Sequence, residues 1–433
     1  MVDRKRQPRS TRQHASPGRR PRARRRWLIY AALGILIPLL VVSGMSWQEE
    51  RPLREAAALL DADQPGLALR VIDDFLRSHP AHSSATAIKA RGLVAVRRPL
   101  EALSLLGQVG LASSDDMKAY TDACLMLERW TDALPVLKVR EEQTPSDPDL
   151  LHELSGCLAK LSQYDEAVAA AERFTALPNC AARGYTLQGM LERDRGNSQR
   201  CCVAWAEVLK VNPNAEDLQI SADEFFLEYG RSLLQISDYP AAAEVLARCA
   251  TVSDSAETNS LYGKALMLCG RAAEAEACWV RALAERPDAR LAAEGMAEIQ
   301  MSRGEFDQAR ETLLPLANSK LLRSSTAFLL QRISGLLKRP EEMEQWKART
   351  ELLRLQEETR VSMEQVVIFS PGSLWANVFQ AYFLAEQENW LQAEALLRPC
   401  IKDDSHEFIK LLGAAVKKKG TLPAIETAPL DTH

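Results

Sequence analysis

A small residue returns about every 34 positions along most of this chain. Ala68, Ala102, Ala133, Ala167, Cys201, Ala242, Ala275, Ala309, Met343 and Ala393 are separated by 34, 31, 34, 34, 41, 33, 34, 34 and 50 residues. Between them Ala, Leu, Glu and Arg abound, and apolar residues fall at three-and-four spacing, the period of an amphipathic helix. A beat of this length predicts a tandem array of helical pairs, each burying its apolar face against its neighbours.

The clearest unit is 256–289, AETNSLYGKALMLCGRAAEAEACWVRALAERPDA. Tyr262-Gly263 and Leu266 stand on its first helix and Gly270 at the turn, followed by Ala275, Trp279, Ala282 and Pro287. Residues 148–178 supply Leu151, Leu154, Ser155, Leu158, Tyr164, Ala167, Phe174 and Pro178 at matching places, and 182–213 supply Gly189, Gly196, Trp205 and Pro213. Small residues suit the close approach of paired helices, large ones fill the space alongside, and proline stops the second helix. The pattern resembles the tetratricopeptide repeat (TPR) family, and more specifically its single-pass, membrane-anchored bacterial members. The resemblance covers roughly residues 50–405 and implies an all-α, TPR-like α-solenoid of about ten helical hairpins, preceded by one N-terminal transmembrane helix.

The divisions follow. Residues 1–26 read as a basic, disordered cytoplasmic arm, 27–47 as a transmembrane helix, and 48–317 as TPR-like repeats. Residues 318–373 keep only helical character and read as a degenerate repeat, with an overlong second helix over 341–360. The last TPR-like repeat and a capping helix fill 374–419, and 420–433 read as a disordered tail.

Residues 1–26 carry eleven basic side chains and one acid, residues 27–47 carry no charge, and the remainder has 43 basic against 57 acidic residues. The apolar run, WLIYAALGILIPLLVVSGMSW, is twenty-one residues long. As a helix it would extend about 31 Å, which matches a hydrocarbon core of about 30 Å. It is longer than the 7–15 apolar residues usual in a cleaved signal peptide. The arginines before it place 1–26 in the cytoplasm and the repeats in the periplasm of a bacterium. The alternative use of those arginines, binding nucleic acid, is disfavoured because no aromatic residues are interleaved among them.

Nothing in the sequence asks for a reaction centre or a cofactor. HExxH, GxSxG and GxxxxGK[ST] are absent, which removes the usual footholds of zinc proteases, serine hydrolases and P-loop enzymes. His79 and His82 have no cysteine or acid at ligand spacing beside them, so they read as an ordinary inter-repeat turn and not as a metal site. The nine cysteines form no CxxC and mostly coincide with small repeat positions, as small hydrophobes would. A small-molecule substrate is likewise not indicated.

In the TPR family the first helices line a concave groove that binds an extended peptide or a partner helix. On the positions that match, the resemblance implies a groove containing Arg91, Lys118, His152, Arg183, Arg193, Leu227, Arg231, Lys264, Trp375 and Tyr382. Arg183, Arg193, Arg231 and Lys264 would form a basic stripe toward an acidic partner. The leading expectation is a non-enzymatic, membrane-anchored scaffold that binds proteins or peptides for envelope complex assembly or secretion. The alternative is a component of an envelope polysaccharide export or biosynthesis pathway, for which exposed Trp375 and Tyr382 would be the sugar-stacking candidates.

Overall fold

The computed structural model describes residues 51–319, 322–402 and 405–429. Among them are 21 α-helices, two short 3-10 turns and no strand. They fall into two compact units, divided between Leu177 and Pro178. In the first, α1 (Arg51–Asp61) pairs with α2 (Pro65–Ser78) and α3 (Ser83–Ala95) with α4 (Pro99–Val109). Further along it, α5 (Ser114–Met126) pairs with α6 (Trp130–Gln143) and α7 (Pro148–Lys160) with α8 (Tyr164–Thr175).

The second unit opens with the pairs α9 (Ala181–Asp194) and α10 (Ser198–Val211), α11 (Ala222–Gln235) and α12 (Tyr239–Val252), and α13 (Ala256–Leu268) and α14 (Ala272–Glu285). Next come α15 (Arg290–Ser302) and α16 (Phe306–Ala317), then α17 (Ser324–Leu336) and α18 (Pro340–Phe369). The pair α19 (Leu374–Glu386) and α20 (Trp390–Leu397) precedes the single helix α21 (Glu407–Lys418). Within each unit every first helix packs on its own second helix, and each second helix packs on the first helix that follows it. First helices also meet one another: α1 touches α3, α3 touches α5, and the run α11, α13, α15 and α17 is in contact throughout.

The 34-residue beat is a packing rule. The small residues at Ala68, Ala102, Ala133, Ala167, Cys201, Ala242, Ala275, Ala309 and Ala393 are all essentially without solvent exposure. The partly exposed Met343 is the exception, at the start of the irregular α18. Opposite them, the first helix is small wherever the second presents a large side chain. A Cβ added at Gly263 would lie 2.4 Å from Trp279 Nε1, and one added at Gly189 would lie 2.1 Å from Trp205 Nε1. Each indole then donates to a first-helix carbonyl nineteen residues earlier, Trp205 to Thr186 at 3.1 Å and Trp279 to Ser260 at 3.2 Å. The buried N–H is thereby satisfied at each site.

The hairpin turns share one backbone device. Asp63, Arg97, Glu128, Ser162, Gly196, Ser237, Gly270, Gly304, Lys338 and Glu388, one per hairpin, all have positive φ. This left-handed residue lets the next amide reach back to the end of the first helix, as Arg98 N does to Leu93 O at 2.8 Å and Arg271 N to Leu266 O at 2.9 Å. Only three of these positions are glycine, although a left-handed conformation costs other residues about 1 kcal/mol.

The cysteines lie inside this packing. All nine are free, and all but Cys269 are buried. Desolvation pushes the thiols of Cys157 and Cys201 up to about 11 and that of Cys202 up to about 12, so they stay protonated and inert at neutral pH.

Three sequence expectations need comment. The segment 27–47 lies outside the described residues, among which no helix is long and apolar enough to cross a membrane. The long second helix runs Pro340–Phe369, nine residues past the expected end at Arg360. Residues 421–429, expected to be disordered, instead fold back onto the preceding helices, with Ile425 and Ala428 buried.

Two outcomes follow from the packing. Gly263→Ala should lower the urea midpoint by an amount equivalent to about 1–3 kcal/mol despite alanine's better helix propensity, because the Trp279 ring must move. Thiol labelling of the native protein should modify Cys269 alone, with all nine cysteines reacting in denaturant.

Candidate functional site

The first helices of each unit present a face of polar and charged residues. On the first unit, Arg91 on α3 is a clasp. Its guanidinium donates to Asp116 Oδ1 at 2.8 Å, to Asp115 Oδ2 at 2.9 Å and to Ser113 Oγ at 3.0 Å. Asp116 is only 3% exposed and also accepts from Ser113 N, forming the capping box of α5. Arg91 is therefore committed to joining two hairpins, although it borders an open cavity of about 600 Å³ with Leu53, Ile88 and Val109.

Further along the same unit, exposed Lys118 stands near Asp122 and Glu153. Burial is the main force pushing both carboxyls above their ordinary range. Lys118 and Arg140 pull both back, and the Asp122 charge adds to the rise at Glu153. Arg140, 5% exposed, spans to Thr121 at 2.6 Å and Glu153 at 2.9 Å. His152 is half-buried, its ring 6.3 Å from Phe174. Arg140 ties α6 to α5 and α7, whereas the Lys118 side chain stays exposed.

The expected basic stripe of the second unit is largely neutralised. Arg193 pairs with Asp194 at 2.9 Å and Glu228 at 3.6 Å, while Arg231 pairs with the same Glu228 at 3.3 Å and with Glu257 at 2.7 Å. The result is a ladder running across α9, α11 and α13, in which two arginines face three acids. The Nε of Arg231 is buried without a well-directed acceptor. Arg183 and Leu227 are half-buried, Leu227 against the apolar core. Of the four stripe residues only Lys264 is exposed.

The two groove aromatics also differ from expectation. Tyr382 is 5% exposed, stacks on Phe408 at 6.0 Å and donates to Pro423 O at 3.3 Å. Desolvation pushes its hydroxyl up to about 12. Trp375 is half-buried, against Phe379 at 5.5 Å and His406 at 5.6 Å. Both are packing residues because α21 and the segment after it cover this face.

The structure brings Arg231 together with three cations that the expected groove does not include. A cavity of about 350 Å³ is lined by Arg231, Arg286, Arg290 and Arg323, with Glu257 and Asp288 as the acids and Leu261, Leu291 and Leu316 as the apolar wall. Arg286 lies in the loop between α14 and α15, Arg290 opens α15, and Arg323 is the residue before α17. Arg286 is loosely placed toward Asp288 at 3.8 Å and Arg290 toward Glu294 at 3.4 Å, while no ion pair holds Arg323 among the described residues. Arg290 and Arg323 also border an adjoining cavity of about 450 Å³ with Glu357, Arg360 and Glu364. Loop positions carry no 34-residue signature, and for that reason the sequence did not mark them.

Residues 263–316, from α13 to α16, match the tetratricopeptide repeat family. The chain is an all-α, tetratricopeptide-like solenoid. No curated protein sequence matches it. Solved structures with a similar arrangement include the C-terminal part of a TPR repeat-containing protein from Cytophaga hutchinsonii, at 14% identity over 56% of this chain and 99% of that one, with a TM-score of 0.47. Another is pilF of Pseudomonas aeruginosa, at 14% identity, 54% and 97% coverage and a TM-score of 0.38. A third is YrrB, described as a TPR protein with an unusual peptide-binding site, at 19% identity, 38% and 86% coverage and a TM-score of 0.35.

Among the tetratricopeptide-like hairpins of the first unit, the Arg91 clasp yields a direct test. Arg91→Ala should destabilise the protein by about 2–3 kcal/mol in urea unfolding, since it leaves the buried Asp116 carboxylate with only a backbone donor. Arg91→Lys should recover part of that loss, because one ammonium cannot reproduce the three-way fork.

Proposed function

We propose that the chain is a membrane-anchored scaffold whose tetratricopeptide-like repeats capture polypeptide segments during envelope complex assembly or secretion. In this reading residues 27–47 hold it in a bacterial inner membrane, residues 1–26 stay in the cytoplasm and the repeats face the periplasm. The sequence supports that topology through the uncharged run and the arginines on one flank alone. Anchoring would confine the repeats near the bilayer and raise their effective concentration toward membrane partners. No reaction and no cofactor is assigned.

The observation that carries the binding reading is the arginine recess of the second unit. Four guanidinium groups line it, of which Arg323 has no ion pair among the described residues and Arg286 only a long one, while Leu261, Leu291 and Leu316 give it an apolar wall. Guanidinium groups favour carboxylates through paired, charge-assisted hydrogen bonds. The recess therefore suits an acidic peptide segment that also carries an apolar side chain. The polysaccharide reading loses its support, because Tyr382 is buried and Trp375 is packed between Phe379 and His406.

Photo-crosslinking in membranes from position 323, followed by mass spectrometry, should recover polypeptides with acidic segments; glycan adducts in their place would revive the polysaccharide pathway. The double variant Arg290→Glu with Arg323→Glu should weaken capture at least about tenfold, the effect of losing one or two charge-assisted pairs. Unchanged capture would eliminate the recess. A periplasm-dependent reporter fused just after residue 48 should be active, and the same reporter fused before residue 27 inactive.

A further inference from the structure

Residues 421–429 fold back onto the helices before them. They follow α21 and return to α18 and α19, making one short turn at Ile425–Thr427. Pro423 O accepts from the Tyr382 hydroxyl at 3.3 Å, and Glu426 Oε2 accepts from Gln356 Nε2 at 3.1 Å. Ile425 and Ala428, each 8% exposed, join a cluster with Met363 of α18, Tyr382 of α19, and Phe408 and Leu412 of α21. Thr427, between them, points to solvent. Tyr382 occupies the first-helix position that the repeat register assigns to the groove.

We propose that the face between α18 and α19 is a polypeptide-binding site, occupied in cis by residues 421–429. The class of ligand is written in the occupant: a short segment after a proline, with an aliphatic side chain, an acid directly after it and a small apolar residue three positions on. Ile425 and Ala428 fill the apolar part of the site, Glu426 takes the Gln356 amide, and the carbonyl of Pro423 takes the Tyr382 hydroxyl. The contact is small. Three apolar side chains (Ile425, Ala428 and the partly buried Leu422) and two hydrogen bonds are the scale of a displaceable contact, held by the high effective concentration of a tethered segment, on the order of millimolar for a short linker. The site is separate from the arginine recess and stands whether or not that recess binds a partner.

The test uses the full chain and a fluorescent synthetic peptide of residues 421–433. Ile425→Asp in the protein should release the tethered segment, because a carboxylate will not enter the apolar cluster. The peptide should then bind the variant saturably and at least tenfold more tightly than it binds the unaltered protein. A peptide carrying the same Ile425→Asp change should not bind, and Thr427→Asp in the protein, on the solvent side, should leave peptide affinity unchanged. Circular dichroism and the urea midpoint establish that each variant is folded. Ala428→Asp repeats the release from a second position if Ile425→Asp fails to fold. Equal peptide affinity for the unaltered and released proteins, or no saturable binding to a folded released protein, would overturn the proposal.

Discussion

The second unit depends on a close fit between a large side chain and the absence of one. Trp279 on α14 lies between Gly263 on α13 and Gly295 on α15, and a Cβ on either glycine would come within 2.4 Å of its ring. One indole therefore sets the distance between the two helices of its own hairpin and the distance to the following hairpin. Trp205 against Gly189 and Leu246 against Gly230 repeat the arrangement in neighbouring hairpins. Protein interiors are packed as tightly as organic crystals, so such fits define helix spacing to a fraction of an ångström. With spacing defined at each step, the first helices line up as a continuous face.

In each unit the first-helix face is knitted together by its own charges. Arg91 bridges α3 to the N-terminus of α5, Arg140 bridges α6 to α7, and the ladder from Arg193 through Glu228 and Arg231 to Glu257 crosses three first helices. Exposed pairs of this kind contribute little individually. The half-buried ones matter more because they fix side-chain directions and leave few cations unpaired. The arginine recess stands out for this reason: Arg286 and Arg290 have only long contacts there, and Arg323 has none among the described residues.

The 30-residue α18 changes the pattern at the end of the second unit. Its first half packs on α17 through Trp346 and Leu353, and its second half contributes Met363, Val366 and Val367 to the cluster around α19 and α21. Only Thr350, Leu353, Thr359 and Met363 are buried along its whole length, so much of its surface is left to other elements. Residues 421–429 occupy part of it. The result is a terminal face closed by the chain's own segment, in contrast to the open recess farther up the unit.

Much of the fold was legible in the sequence because the hairpin is a local object. The beat from Ala68 to Ala309, the tryptophans at Trp205 and Trp279, and the turns at Gly196 and Gly270 all express contacts between residues fewer than forty positions apart. The left-handed turns at Arg97, Glu128 and Ser162 were not legible, since the same backbone conformation is imposed there on residues that do not favour it. The binding face was legible only as positions. Whether Arg231 is free depends on Glu228 and Glu257, whether Tyr382 is exposed depends on Pro423, and whether Arg286 meets Arg323 depends on two loops from different hairpins. Periodicity specifies which face a residue is on, because that follows from helix geometry. The partner it finds there is decided by side chains on other hairpins and on the returning segment, and only the tertiary structure brings these together.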